Sequence, residues 1–210
     1  MLNADVITFQ EFVMHEPLPL SKIQEAVLEF LQGRDDAVLF GAQAVNAYVS
    51  EPRATQDVDI MSTRAKEFAE ELRQYLSDRF HIAVRVREIR DKGLRIYQVR
   101  KEGSRHLVDV RIQDVFPENQ RIEEIGVLTP PELIASKVTS YISRFGKAKS
   151  WTDRRDLTVL IARFPELKVR SGDVEHLLIK ANAEENAIQF WHELVEQETV
   201  VEEDDEDLLY

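Results

Sequence analysis

The chain has no cysteine, which excludes a disulfide scaffold and thiolate chemistry and agrees with a reducing compartment. No apolar run approaches the roughly 18 residues that a membrane-crossing helix needs. The opening stretch from Met1 to Phe12 carries acids where a secretion signal would carry bases. These absences point to a cytoplasmic protein with no membrane partner. The histidines His15, His81, His106, His176 and His192 show no ligand spacing, which speaks against zinc. A Gly-Lys-Ser/Thr phosphate loop is also missing, which counts against a P-loop ATPase. There is no internal repeat, and the acidic C-terminal end is the one long biased segment.

What is present is a globular chain. At 210 residues it is long enough for one domain, or a domain with an appendage, around a sizeable core. The net charge of -12 looks hostile to nucleic acid, but it is unevenly spread. Residues 1–52 hold 2 basic and 8 acidic side chains, residues 53–170 hold 24 and 18, and residues 171–210 hold 1 and 13. The middle of the chain can therefore attract a polyanion that the overall balance hides. Glu193 to Asp207 has nine acids and no base, a block that repels itself and is expected to be a solvated, disordered end.

Ser21-Lys22-Ile23-Gln24 reads as a capping box opening a helix through Val27 and Leu31 to Gly33. Ala37 to Phe40 reads as a short buried strand, and Gly41 as a turn into a short helix. Val58 and Ile60 alternate with Asp57 and Asp59, the period of a strand with one polar face. An amphipathic helix is expected over 63–80, then strands over 82–89, 94–101 and 105–112. Asp91-Lys92-Gly93 is a tight connection between the first two of these, so they form a hairpin. Thr129-Pro130-Pro131-Glu132 reads as a second capping box, with a helix to about Phe145. The linker Gly146–Ser150 and a helix from Thr152 follow, with two more helices over 171–180 and 184–197. The layout is an α+β chain: an α/β-like lobe over 1–128, an all-helical lobe over 129–198 and an acidic tail over 199–210.

Residues two apart on a strand point to one face, so Asp57 and Asp59 can converge on a hard divalent cation, which prefers oxygen ligands. The alternative is a solvent-facing strand edge. Asp109 stands alone between Val108 and Val110 in a second apolar strand. If the two strands are neighbours, three carboxylates meet, an arrangement suited to two-metal phosphoryl or nucleotidyl transfer. Gly41-Ala42, between a strand and a helix, lets backbone approach a phosphate closely; a turn needing positive φ explains the glycine equally.

Taken together, Gly41-Ala42-Gln43-Ala44, Arg53-x-Thr55-x-Asp57-x-Asp59 and Leu107-Val108-Asp109-Val110 resemble the polymerase-beta-like nucleotidyltransferases. Within them the chain is similar to the AbiEii/AbiGii-type branch of minimal enzymes. Leu133-Ile134-Ala135-Ser136-Lys137, Arg144 and Asp153-Arg154-Arg155-Asp156-Leu157 resemble that family's helical motifs. The resemblance spans about residues 37–164. It implies a mixed sheet flanked by helices, followed by the helical lobe. It also implies that Gly41 and Ala42 hold a triphosphate, that Asp57, Asp59 and Asp109 ligate Mg2+ or Mn2+, and that Asp109 helps to deprotonate the acceptor. Lys137 and Arg144 would contact nucleotide phosphate, and Arg53 and Thr55 would touch phosphate or order their loop. Asp156 would be catalytic or would brace the helices. Many relatives have a serine or second glycine where this chain has Ala42, so a hydroxyl contact to phosphate is absent while the backbone amide remains.

The function implied is magnesium-dependent transfer of a nucleoside monophosphate from an NTP to a hydroxyl on RNA, protein or a small molecule. A toxin role, beside an antitoxin partner or in phage defence, is implied by the same branch. The mid-chain arginines Arg85, Arg87, Arg90 and Arg95 fit either a polyanionic acceptor or a solvated sheet surface. The alternatives are a non-catalytic binding or regulatory subunit on the same fold, and a two-metal nuclease or phosphatase.

Overall fold

The computed structural model describes residues 18–89, 93–101 and 103–197. The Asp91-Lys92 connection, Arg90 and the acidic tail over 199–210 lie outside them. The first helices and strands in chain order are α1 (Leu20–Leu31), β1 (Ala37–Phe40), α2 (Gly41–Asn46), β2 (Val58–Ser62) and α3 (Ala65–Phe80). Five strands follow: β3 (Val84–Ile89), β4 (Gly93–Gln98), β5 (Arg105–Ile112), β6 (Asn119–Ile122) and β7 (Ile125–Leu128). The rest is helical: α4 (Pro130–Ser143), α5 (Ala148–Arg163), a 3-10 turn (Pro165–Leu167), α6 (Asp173–Lys180) and α7 (Glu185–Glu196). Two compact units divide between Leu133 and Ile134.

In the first unit the strands form one seven-stranded sheet in the order β3-β4-β5-β2-β1-β7-β6. The pairs β1/β7 and β2/β5 are parallel and the other neighbours antiparallel, so the expected mixed sheet of an α+β fold is present. All four residues of β1 are buried, as a central strand covered on both faces requires. Val58 and Ile60 of β2 are fully buried while Asp59 between them is not, which is the alternation read from the sequence. Phe68, Leu72 and Leu76 recur every four residues on α3 and are fully buried where that helix packs on β2 to β5. Burying one such side chain is worth roughly 1.5–3 kcal/mol. Ile23, Val27 and Leu31 of α1 close the same layer beside α3.

Several expectations are corrected. Neither capping box forms. Ser21 lies inside α1, which is preceded by Pro19 without a side-chain cap, and Gln24 reaches away to another segment. At α4 the Thr129 N–H donates to Glu118 O at 3.0 Å and its Oγ1 is buried without a hydrogen bond among the described residues. The reason is the β6–β7 hairpin, which brings Glu118 to the helix start and takes the donor the box would have used. That hairpin was not foreseen. Asn119–Ile122 is polar and almost wholly exposed, and its turn places Glu123 and Glu124 at φ 48° and 66°. Positive φ at both turn positions is normally signalled by Asn-Gly or Asp-Gly, so two glutamates hide it. The linker expected over 146–150 is shorter too, because α5 already begins at Ala148.

In the second unit α6 and α7 pack on each other. Leu157, Leu160, Val174, Leu178 and Trp191 are all fully buried there. Among the described residues no helix is long and apolar enough to cross a membrane.

Candidate active site

The sheet register places the acids. Asp59 on β2 is the direct partner of Asp109 on the parallel strand β5, and strands so paired lie about 4.8 Å apart. The cross-strand row continues through Arg95 to Arg87 on one side and to Phe40 on the other. Asp109 therefore shares a face with Asp59, opposite the face of Val58, Ile60, Val108 and Val110 that is buried under the helices. At the end of β1, Gly41 begins α2 with φ +71°, and a methyl group built on it would overlap Asp59 Oδ2. Two constraints thus select glycine here: a left-handed backbone and the closeness of the Asp59 carboxylate.

His106 joins this group through an irregularity in β5. Ile96 pairs with Val108, but Tyr97 pairs with His106, so Leu107 is an extra residue on its strand. Leu107 and Val108 both turn to the core, 1% and 0% exposed. Residues three apart on a regular strand face opposite ways; the bulge restores His106 to the Asp109 side. Its Nε2 lies 3.0 Å from Asp109 Oδ1 and its Nδ1 lies 3.1 Å from Asp57 Oδ2, so the ring bridges the two acids. Arg95 grips Asp109 with two parallel bonds, Nε to Oδ1 and Nη2 to Oδ2, both 2.9 Å.

These contacts set the charges. Burial opposes a charged His106, but its hydrogen bonds and the negative charges of Asp109 and Asp57 outweigh that and push its pKa up to about 9. Burial likewise opposes the Asp109 anion, yet His106 and Arg95 hold its carboxyl well below the usual carboxylate range. Arg95 is held more firmly protonated by its hydrogen bonds to Asp109.

The loop leading to Asp57 is pinned from behind. Gln24 Nε2, buried on α1, donates to both Thr55 O and Thr55 Oγ1 at 3.0 Å. Asn46 at the end of α2 donates to Arg53 O at 2.8 Å and accepts the Arg53 N–H at 3.1 Å. Gln43 Oε1 in turn accepts from Asn46 Nδ2 at 2.8 Å. Thr55 and the Arg53 backbone therefore order the segment two and four residues before Asp57.

Lys137, Arg144 and Asp156 stand in the second unit. Lys137 Nζ donates to Asp156 Oδ2 at 2.6 Å and approaches Asp153 Oδ1 at 3.4 Å. Arg144 Nη1 donates to Asp153 Oδ2 at 2.9 Å. Asp153 and Asp156 are 3% and 0% exposed, so each carboxylate has a cation where burial would otherwise penalise it.

The donor set suits a cation. Ligand atoms of Asp57, His106 and Asp109 lie within 4.8 Å of one another, and Asp59 adds a carboxylate beside Asp109. Oxygen-rich ligands fit magnesium, and the imidazole widens the fit to manganese. Reading from the sequence missed the site roles of His106 and Asn46, took Gln24 for a helix cap, and gave Asp153 only as part of a helical motif. His106 was hidden because strand parity puts it on the core face, and only the bulge reverses that. Gln24 was misassigned because its partner Thr55 lies 31 residues away, and Asn46 carries no motif.

No protein-family model matches the sequence, and no curated protein matches it. Solved structures do share its fold. The polyadenylate synthase of Megavirus matches with a TM-score of 0.59 at 12% identity, over 83% of this chain and 39% of its own. JHP933 from Helicobacter pylori matches with a TM-score of 0.52 at 12% identity, over 90% of this chain and 92% of its own. The antibiotic-resistance factor ANT(2'')-Ia matches with a TM-score of 0.51 at 15% identity, over 90% of this chain and 99% of its own. The architecture is thus that of the nucleotidyltransferase fold.

Proposed function

We propose that the protein transfers a nucleoside monophosphate from an NTP to a hydroxyl acceptor, releasing pyrophosphate, with magnesium or manganese as cofactor. The observation that carries this reading is the side-by-side pairing of Asp59 and Asp109, with Asp57 tied to them through His106, next to a glycine turn. A divalent ion bound at these acids neutralises phosphate charge and polarises the phosphoryl group under attack. Asp57, Asp59 and Asp109 are the ligands we assign, with His106 beside them. Gly41 and Ala42 admit the triphosphate through their backbone. The low pKa of Asp109 makes it a weak base, so its part is to hold the cation rather than to take the acceptor proton. Arg95 sets the orientation of Asp109. Lys137 and Arg144, engaged by Asp156 and Asp153, brace the helical unit. The acceptor is RNA, protein or a small molecule, and an antitoxin partner belongs to the same proposal.

The test is incubation with each labelled NTP, magnesium and cellular RNA or protein. We expect label on an acceptor with the parent protein and none with Asp57→Ala or Asp59→Ala, while thermal melts of the variants stay near the parent. Full activity in either variant would remove the mechanism. One observation favours a second reading, a non-catalytic binding module: Arg95 and His106 neutralise Asp109 and Asp57 without any metal. Such a module would give no magnesium-dependent heat of NTP binding and no labelled product.

A further inference from the structure

A groove of about 490 Å³ in the second unit is lined from α4, α5 and α7 and has no part in the chemistry above. In its wall Tyr141 and Phe190 stack with ring centroids 4.5 Å apart at 23°. The Arg154 guanidinium lies 5.2 Å from the Phe190 centroid. Phe145 and Trp151 also line the groove, yet they are 72% and 73% exposed, far more than rings of this size are in a core. Between them in the chain, Lys147 and Lys149 are exposed. The nearest acids in sequence, Asp153 and Asp156, are buried against Lys137 and Arg144. The α4–α5 turn thus presents two open rings and two cations that its own carboxylates do not offset. Glu193 is the one acid in the lining, and Gln189 donates to it at 3.4 Å.

We propose that this turn and groove bind single-stranded nucleic acid, with bases stacked on Phe145 and Trp151 and the adjoining phosphates on Lys147 and Lys149. Every base offers a π-face and every linkage a negative charge, so two open rings flanking two cations suit a strand without demanding a sequence. The use of such a strand as the acceptor rests on the transferase reading above; the binding itself needs neither NTP nor metal.

Fluorescence tests it directly. The chain has 2 tryptophans and Trp191 is fully buried, so quenching by a ligand reports Trp151. The full-length protein is titrated with oligo(U) and with oligo(dT) of about 12 nucleotides, a length that covers one such site, in chelator without NTP. We expect saturable quenching by at least one polymer. Preference for oligo(U) assigns RNA, and equal binding assigns the shared stacking and phosphate chemistry. By anisotropy of labelled oligonucleotide, Trp151→Ala should weaken binding about tenfold. Joint Lys147→Ala and Lys149→Ala should lower the slope of log affinity against log salt by about 1.4. Ile179→Ser, an exposed apolar position on α6, should change neither. Absence of saturable binding to both polymers, unchanged affinity in Trp151→Ala, or quenching that tracks protein self-association each overturns the inference. Labelled transfer to a small acceptor without oligonucleotide binding would overturn it and spare the transferase reading; binding without any transfer would do the reverse.

Discussion

Gly41 shows how much one residue can decide. Its φ of +71° alone would cost a residue with a Cβ roughly 1–2 kcal/mol. The added methyl would also have to displace the Asp59 carboxylate. We expect Gly41→Ala to lower the melting temperature modestly and to cut transfer more than tenfold, a split read by comparing melts with labelled-product assays. Gln24 makes the complementary case from the opposite side of the loop. Its removal leaves Thr55 without a buried donor, at a cost of about 1–3 kcal/mol. Gln24→Ala should accordingly speed hydrogen exchange around residues 53–57 and lower transfer without touching an acid. In the sequence Gly41 stood out as a site residue, whereas Gln24 read only as a helix cap. A glycine between strand and helix is a visible signal, whereas a glutamine at a helix start gives no sign of a partner 31 residues away.

Among the elements, β5 and α5 carry the sharpest lessons. The bulge at Leu107 turns an ordinary strand into one that shows both His106 and Asp109 to the site. Deleting Leu107 should restore regular pairing with His106 two positions from Asp109 and still on the site face, while the core loses a buried leucine side chain. The expected outcome is a large stability loss in urea titrations, larger than for His106→Ala. On α5, Asp153 and Asp156 depend on cations from α4. Removing one partner of a buried pair costs about 3–5 kcal/mol. Lys137→Ala should therefore lower the unfolding free energy obtained from urea titration by that amount, and more than an Arg144→Ala change, since Arg144 is the more exposed partner. Strand identity in β1, β2 and β5 was readable because their apolar residues alternate or run together. β6 was not, because its residues are polar and its place in the sheet comes only from pairing with β7.

For the first unit as a whole, ion pairs tie together parts distant in the chain. Arg34, just past α1, bonds Asp36 through two contacts of 2.8 Å and Glu71 of α3 through a third at 2.8 Å, and Arg64 also reaches Glu71. The hydrogen bonds from Arg34 hold the Asp36 carboxyl below its usual range, against the burial that opposes them. A carboxyl with a lowered folded pKa adds stability above its unfolded value, about pH 4, and that stability is lost as the pH falls through the lowered value. Melts taken downward from neutral pH should show a shallower acid decline for Asp36→Asn than for the parent chain.

By itself the sequence determined the α+β class, most helices and strands, the acids at 57, 59 and 109 and the glycine at 41, because periodicity and turn chemistry are local properties. The tertiary structure alone decided that Asp59 and Asp109 are register partners, that His106 stands between Asp57 and Asp109, and that Lys137 serves two buried aspartates. Strand order, a one-residue bulge and burial are set by contacts between segments far apart along the chain. No local pattern encodes which of them will meet.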